Sequence, residues 1–504
     1  MIAAAAAAAD DDDDDEEVEV EVEVVEVVSI PKPSTFLHDH PSSPQTMFRP
    51  PINRAMRVLD RSFFKKTIPL AAATVFEARN LGRIKNELAK SNDILNAPRL
   101  PAIRYVQNPA TEEEKSKKCI LLKEQIQAND AATWPPTIQK LVEAKSVELK
   151  PYDLHLDYDY WLYHDILSSI LPEEHLEETP AGFNQVGHVA HLNLREQYLP
   201  YKHLIAEVIR DKNSTVRTVI NKVDDVGANS EYRTFAYEHL VGDEDMNVVQ
   251  HEQGCEFAFD YSKVYWNSRL GNEHTYLVGR FREGEAVCDV MAGVGPFALP
   301  AGKKRVFVYA NDLNPHGYEK LKEGAARNKV REFVQPFNMD GREFIRHASQ
   351  ELCVNGPRPV KIYPKVKRTE AAEKKTVPPQ VYKCPPTFDH YVMNLPASAI
   401  EFLDAFIGVY AGKKSMFEPH TQRKRPFVHV YCFSTNSDDN AVEFADICNR
   451  ISERIQYKIT PDDMIGGTGK QDLELEIRDI RLVSPNKRMF CASFRLPAEV
   501  IFKS

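Results

Sequence analysis

The chain has 504 residues, 42% of them apolar, enough for several packed cores and roughly two to four domains. Its formal charge of -10 conceals an uneven distribution, because removing the twelve acids between Asp10 and Glu26 brings the balance to +2. The acidity therefore does not exclude a nucleic-acid partner. Eight scattered cysteines without a CxxC pair exclude a zinc ribbon and a disulfide framework, and no apolar run approaches the roughly 20 residues of a membrane span.

Residues 1–46 read as a disordered, acidic, low-complexity tail that lacks the basic n-region of a signal peptide. From Met47, MFRPPINRAMRVLDRSFFKK sets Arg49, Arg54, Arg57, Arg61, Lys65 and Lys66 against Asp60 alone. Two readings fit: a mitochondrial transit composition, or a folded basic segment that meets RNA phosphate. Mitochondrial matrix, nucleus and cytoplasm are the compartments expected. Residues 47–175 read as an N-terminal α/β module with Lys/Arg-bearing helices such as KSKKCILLKEQIQ. Residues 176–282 read as a middle α/β domain. Here YKHLIAEVIRDKN predicts a helix with Leu204, Ile205, Val208 and Ile209 on one face, and VRTVINKV and CEFAFDYSKVYW alternate as strands do. His188 and His191 in HVAH have no Cys or acid at ligand spacing, so they read as structural and no metal site is expected.

The pattern changes over residues 283–504. AVCDVM, RVFVYAND, FVQPFNMD, FDHYVMNLP and PFVHVYCFS read as five strands, and Asn314-Pro315 caps and opens a helix between the second and third. Strands alternating with helices predict a doubly wound, mostly parallel, Rossmann-like sheet. Its ligand belongs beyond the carboxyl ends of the strands, where Gly293, Asp312, Asp340 and Asn394 fall. The Pro/Lys-rich stretch 354–387 reads as a flexible insertion on the loop side of the sheet.

The glycine loop CDVMAGVGPFALP decides the ligand class. No Gly-Lys-Ser/Thr follows it, so it is not a P-loop. Gly293-x-Gly295-x-x-Ala298 does fit a dinucleotide fingerprint, with Asp312 near the spacing of a ribose-binding acid. Asp289 at the mouth of the loop would repel a pyrophosphate and tolerate a sulfonium. Acid, glycines and a second acid closing the next strand suit S-adenosylmethionine. Asp312, with Leu313 beside it, would bind ribose hydroxyls, and Asp340 with Gly341 would face adenine. Asn394 in NLP can donate and accept at once, and Pro396 stiffens its turn.

In PPINRAMRVLDRSFF, GHVAHLNLREQYLPYKHLIAEVIRDKN, FDYSKVYWNSRLGNEH, DVMAGVGPFALPAGKK, NDLNPHGYEKLKEGAARNKV, YVMNLPASAIEFLDAF and SPNKRMFCASFRLP, the chain resembles the archaeal/eukaryotic tRNA (guanine(37)-N1)-methyltransferases over about residues 48 to 500. The resemblance implies a class I, S-adenosylmethionine-dependent enzyme that methylates N1 of guanosine 37 and supports reading-frame maintenance. It also implies smaller α/β RNA-binding domains ahead of the catalytic one, 47–175 binding tRNA and 176–282 contributing part of the site, with tRNA, anticodon loop and body, as the partner of the whole chain. Deprotonating N1 builds charge on O6, so a base and an O6 stabiliser are needed. Glu273 matches the family's base and Arg233 its O6 stabiliser. Asn394 would hold the guanine, Tyr265 would line the pocket, and His274 would border the cofactor. Arg269 would meet phosphate or order the Glu273 loop. Lys303, Lys304, Lys487 and Arg488 are further candidates for phosphate contact. A monomer is expected. The rival readings are an aminocarboxypropyl transferase of the wybutosine pathway, a non-catalytic tRNA-binding protein and, more distantly, a dehydrogenase.

Overall fold

In the computed structural model, residues 47–109, 111–180, 182–223, 232, 234–363 and 378–504 are described. The first sheet is antiparallel and contains β1 (Lys66–Val75), β2 (Ile103–Tyr105), β3 (Lys118–Leu121) and β4 (Val147–Leu156), in the order β2-β3-β1-β4. Within the run KSKKCILLKEQIQ, read above as a helix, Lys118–Leu121 is strand β3. Cys119, Ile120 and Leu121 are buried, and a short apolar run of this kind carries no period that separates strand from helix. The basic stretch after Met47 is folded. Arg54 donates to the carbonyls of Ser168 and Leu171, and Arg61 pairs with Glu207 and Asp211 at 3.0 and 2.6 Å.

The middle unit has a second sheet of β5 (Asn184–Val186), β6 (Val189–Leu192), β7 (Thr218–Lys222) and β8 (Tyr237–Gly242). Helix α1 (Lys202–Lys212) covers it and buries Leu204, Ile205, Val208 and Ile209, the face read from the sequence. One apolar core runs from Met56 and Phe64 through Trp161 to Leu204 and Ile205 and on to Leu240, so both sheets share it. A hairpin of β9 (Asn247–Glu252) and β10 (Cys255–Asp260) leads out of this unit. It alternates as read, with Phe257 and Phe259 inward. Helix α2 (Gly271–Arg280) follows the hairpin in the chain.

The third sheet has seven strands. β11 (Ala286–Asp289), β12 (Phe307–Asn311), β13 (Val334–Phe337), β16 (His390–Met393) and β17 (Phe427–Ser434) are parallel, as expected for a Rossmann-like sheet. β18 (Glu476–Ser484) and β19 (Lys487–Arg495) close it as an antiparallel hairpin. The order across the sheet is β13-β12-β11-β16-β17-β19-β18. The chain leaves β11 outward through β12 and β13, then returns to β16 on the other side. That reversal opens a crevice between the carboxyl ends of β11 and β16.

Of the stretch 354–387, residues 364–377 lie outside the described residues, and the two described ends lie elsewhere than expected. β14 (Val360–Ile362) pairs with β15 (Gln380–Tyr382), and Val360 and Tyr382 pack on Phe307 and Phe333. Phe307 begins β12, so this hairpin sits at the amino ends of the strands, opposite the crevice.

Candidate active site

Four strand ends build the crevice. Gly293 has φ +55° and Gly295 has φ +92°, and a Cβ on Gly295 would stand 2.6 Å from Leu321 Cδ1. Only glycine fits that second position. The loop is tied to the next strand by Asp312, whose Oδ2 accepts from Gly293 N–H at 2.7 Å and whose Oδ1 accepts from Asn314 N–H at 2.9 Å. Burial raises the Asp312 pKa, and these two backbone donors partly offset it. Asp340 caps helix α3 (Gly341–Asn355), its Oδ1 accepting from Arg342 N–H at 2.9 Å. Gly341 lets that helix approach Phe402, whose ring would stand 3.0 Å from an added Cβ.

The resulting cavity spans about 1040 Å³, open solvent at its mouth included. Among its lining residues are Tyr265, His274, Gly293, Asp312, Leu313, Asp340, Gly341 and Asn394, all expected from the sequence. Asp312 and Asp340 line it, and no Lys or Arg among the described residues does. His274 is buried, and its Nδ1 lies 2.7 Å from Glu252 Oε1. Asn311 escaped the sequence reading. Its Nδ2 donates to the carbonyls of Val290 and Met339 at 3.1 and 3.0 Å, and its Oδ1 accepts from Met339 N–H, so one side chain ties three strand ends together. A polar residue closing the apolar run of β12 was the available signal.

Asp289 departs from expectation. It is fully buried beneath the loop, does not line the cavity, and neither carboxylate oxygen has a hydrogen-bond partner among the described residues. Burial first, and then the Asp312 charge, push its pKa well up, which favours the protonated form.

A second cavity, of about 1380 Å³ with the open solvent at its mouth included, adjoins the first. Tyr265, Trp266, Asn267, Leu270 and Asn394 line both. The second cavity has the opposite charge: Lys222, Arg269 and Arg481 line it, and no Asp or Glu among the described residues does. His191 also lines it, stacked on Phe235 at 4.7 Å. Burial, then Lys222 and Arg269, push the His191 pKa down to about 4. Asn394 Oδ1 is buried on the shared wall with no hydrogen-bond partner among the described residues.

Glu273 lines neither cavity. It lies on helix α2 and accepts two hydrogen bonds from Arg478, at 2.9 and 2.6 Å, and one from Tyr431 O–H at 2.6 Å. Tyr431 and Arg478 both face Cys491, while Phe433 and Arg481 both face Met489. The second row lines the basic cavity, so Glu273 is anchored one cross-strand row beneath its floor. Arg233 lies outside the described residues, although its neighbour Tyr232 lines the first cavity. Three of the four expected phosphate contacts serve the fold instead. Lys303 donates to the Gly254 carbonyl, Lys304 donates to those of Val278 and Phe281 at 2.8 Å, and Arg488 pairs with Asp479. Lys487 stands 4.3 Å over the Phe433 ring.

Comparison with known proteins decides the family. A tRNA (guanine(37)-N(1))-methyltransferase from Aspergillus fumigatus is 62% identical over 91% of this chain and 96% of its own length. The chain belongs to the tRNA (guanine(37)-N(1))-methyltransferases. The Schizosaccharomyces pombe member of this methyltransferase family is 44% identical over 89% of the chain and 95% of its own length. Residues 163–245 match the TYW2 N-terminal domain family, and residues 248–361 match the TRM5/TYW2 methyltransferase domain family. The fold is that of Trm5b from Pyrococcus abyssi (TM-score 0.52, 22% identity, 84% of this chain and 99% of that one). It is also that of aTrm5 in its complex with tRNALeu (TM-score 0.54, 18% identity, 84% and 100%).

Proposed function

We propose that this chain transfers a methyl group from S-adenosylmethionine to N1 of guanosine 37 in tRNA, beside the anticodon. The observation that carries this reading is a pair of cavities of opposite charge that share one wall, with an amide oxygen on that wall that has no hydrogen-bond partner among the described residues. The acid-lined cavity suits a cationic nucleoside. Asp312 keeps lone pairs for ribose hydroxyls beyond the two backbone bonds it accepts. Asp340 keeps its second oxygen for the adenine side, because the cap uses only Oδ1. When bound, S-adenosylmethionine supplies an electrophilic methyl group on a sulfonium.

The basic cavity suits an RNA strand, with the target base turned out of its stack toward the wall. Asn394 can accept from a guanine N–H through its orphaned Oδ1 and donate to O6 through its amide. Tyr265 flanks the same junction. This fixes the base against the donor and supplies proximity. Arg233 is assigned, from the family resemblance, to the charge that develops on O6. Glu273 is assigned to the N1 proton on one condition: it must first exchange Arg478 and Tyr431 for the base.

The test is transfer of label to unmodified tRNA transcripts with G or A at position 37, using cofactor labelled in the methyl or in the carboxyl carbon. Methyl label appearing as 1-methylguanosine only in the G37 transcript is expected. Carboxyl label in RNA would give the site to aminocarboxypropyl transfer, and tight binding without transfer would make the chain a binding protein. Residence in mitochondria as well as nucleus and cytoplasm is part of the proposal and rests on the basic stretch after Met47. Arg54 and Arg61 are built into the fold, so a cleaved presequence would have to end before Arg54.

A further inference from the structure

Three cations line the basic cavity, and no carboxylate among the described residues does. Other arginines on or against the β18–β19 hairpin have acidic partners: Arg478 has Glu273, Arg280 has Glu476 and Arg488 has Asp479. Arg481 and Arg269 make no ion pair among the described residues. Among the described residues Arg481 Nε donates to the Leu482 carbonyl, at 3.4 Å.

Backbone devices place both arginines. Asp479 faces Phe490 and Arg481 faces Met489, which leaves Ile480 as the extra residue of a β-bulge. Strict alternation would have turned Arg481 to the other face of the sheet. The bulge instead puts it opposite Met489, on the cavity floor. Arg269 sits in a short 3-10 turn whose cap, Asn267, accepts from Arg269 N–H at 3.1 Å. The neighbouring Ser268 Oγ donates to the Gln185 carbonyl at 2.8 Å and pins that turn to the middle sheet.

Two guanidinium groups on one cavity repel each other. Burial first, and then the charge of Arg269, hold the Arg481 pKa below the ordinary arginine value. A half-buried cation held beside a site without a counter-charge is relieved by an anion. The planar guanidinium fork suits a phosphate diester, which it meets with two parallel hydrogen bonds. We propose that Arg269 and Arg481 together seat the backbone phosphodiester next to the target guanosine, and so present that base to Asn394. This rests on the methyl-transfer reading above and names the phosphate contact that reading requires.

The experiment uses the full chain and tRNA transcripts with a single neutral methylphosphonate at the linkage 5′ or 3′ of guanosine 37. RNA binding is measured over a salt series for wild type, Arg269→Ala, Arg481→Ala and Arg481→Lys, with S-adenosylmethionine binding as a check on folding. Each alanine variant is expected to bind unmodified tRNA about tenfold more weakly and to lower the log–log salt slope by about one. Arg481→Lys keeps the slope. One of the two methylphosphonates weakens wild type and costs Arg481→Ala clearly less, which identifies the linkage held. An unchanged slope in both alanine variants, or methylphosphonates that cost Arg481→Ala as much as wild type at both linkages, overturns the proposal. If Arg481→Ala loses cofactor binding through misfolding, Arg269→Ala and Arg481→Lys carry the same test. Failure of the methyl-transfer reading has a different signature: wild type that binds these RNAs and transfers nothing.

Discussion

The two cavities share five residues and differ in nearly everything else. The acid-lined one is local in construction. Most of its wall is strand ends of one sheet, laced together by Asn311 and Asp312, with the turn before α2 and His274 closing one side. The basic one is assembled from distant parts of the chain: β7, the turn before α2, the end of β16 and the bulged β18. A cofactor site can be encoded in one Rossmann-like unit, where the strand ends converge without help. A seat for a large flexible substrate needs a second unit brought against the first, and here the wall between them is the place where two ligands can touch.

The sharpest way to break the comparison is at that wall. Asn394→Ala is expected to lower kcat/KM for methyl transfer by about 10²–10³-fold while leaving the binding of each ligand alone within a few-fold. Equal losses in cofactor binding would return Asn394 to the acid-lined cavity only. Next comes the floor. Glu273→Gln leaves the Arg478 guanidinium without its carboxylate, so stability should fall by about 3 kcal/mol, seen as a drop in thermal midpoint. If Glu273 also takes the proton, the variant loses turnover at every pH. A variant that keeps the wild-type pH–rate profile would make Glu273 an anchor alone.

Smaller effects separate the cavities themselves. Asp312→Asn should weaken cofactor binding about tenfold, by calorimetry, and leave tRNA affinity unchanged. The last effect is read in stability alone and concerns His191. Its folded pKa of about 4 lies below the unfolded value of about 6.5, so the unfolded chain binds the extra proton between those limits. Stability is therefore lost as pH falls through that window, and His191→Gln should flatten that part of a thermal-midpoint profile.

The parallel strands, α1 and the glycine loop were legible because each signal is local: an apolar run, a 3.6-residue period, two glycines at a turn. Gly293, Asp312, Asp340 and Asn394 were legible because strand ends mark themselves. Depth was not legible. Asp289 and Asp312 each close or follow a strand near the loop, yet only Asp312 reaches the cavity surface. Pairing across the chain was not legible either. Glu273 meets a partner 205 residues away, and that partner decides where its carboxylate points. Arg481 owes its face to one bulged residue that no periodicity reveals.

The β14–β15 hairpin has a practical consequence. It hangs from the amino ends of the strands, packed on Phe307 and Phe333, while both cavities open at the opposite end. A dye or affinity handle attached at Lys361, an exposed residue of β14, would sit across the full thickness of the sheet from either ligand. Binding of RNA and of cofactor could then be followed on one labelled protein with neither cavity disturbed by the reporter.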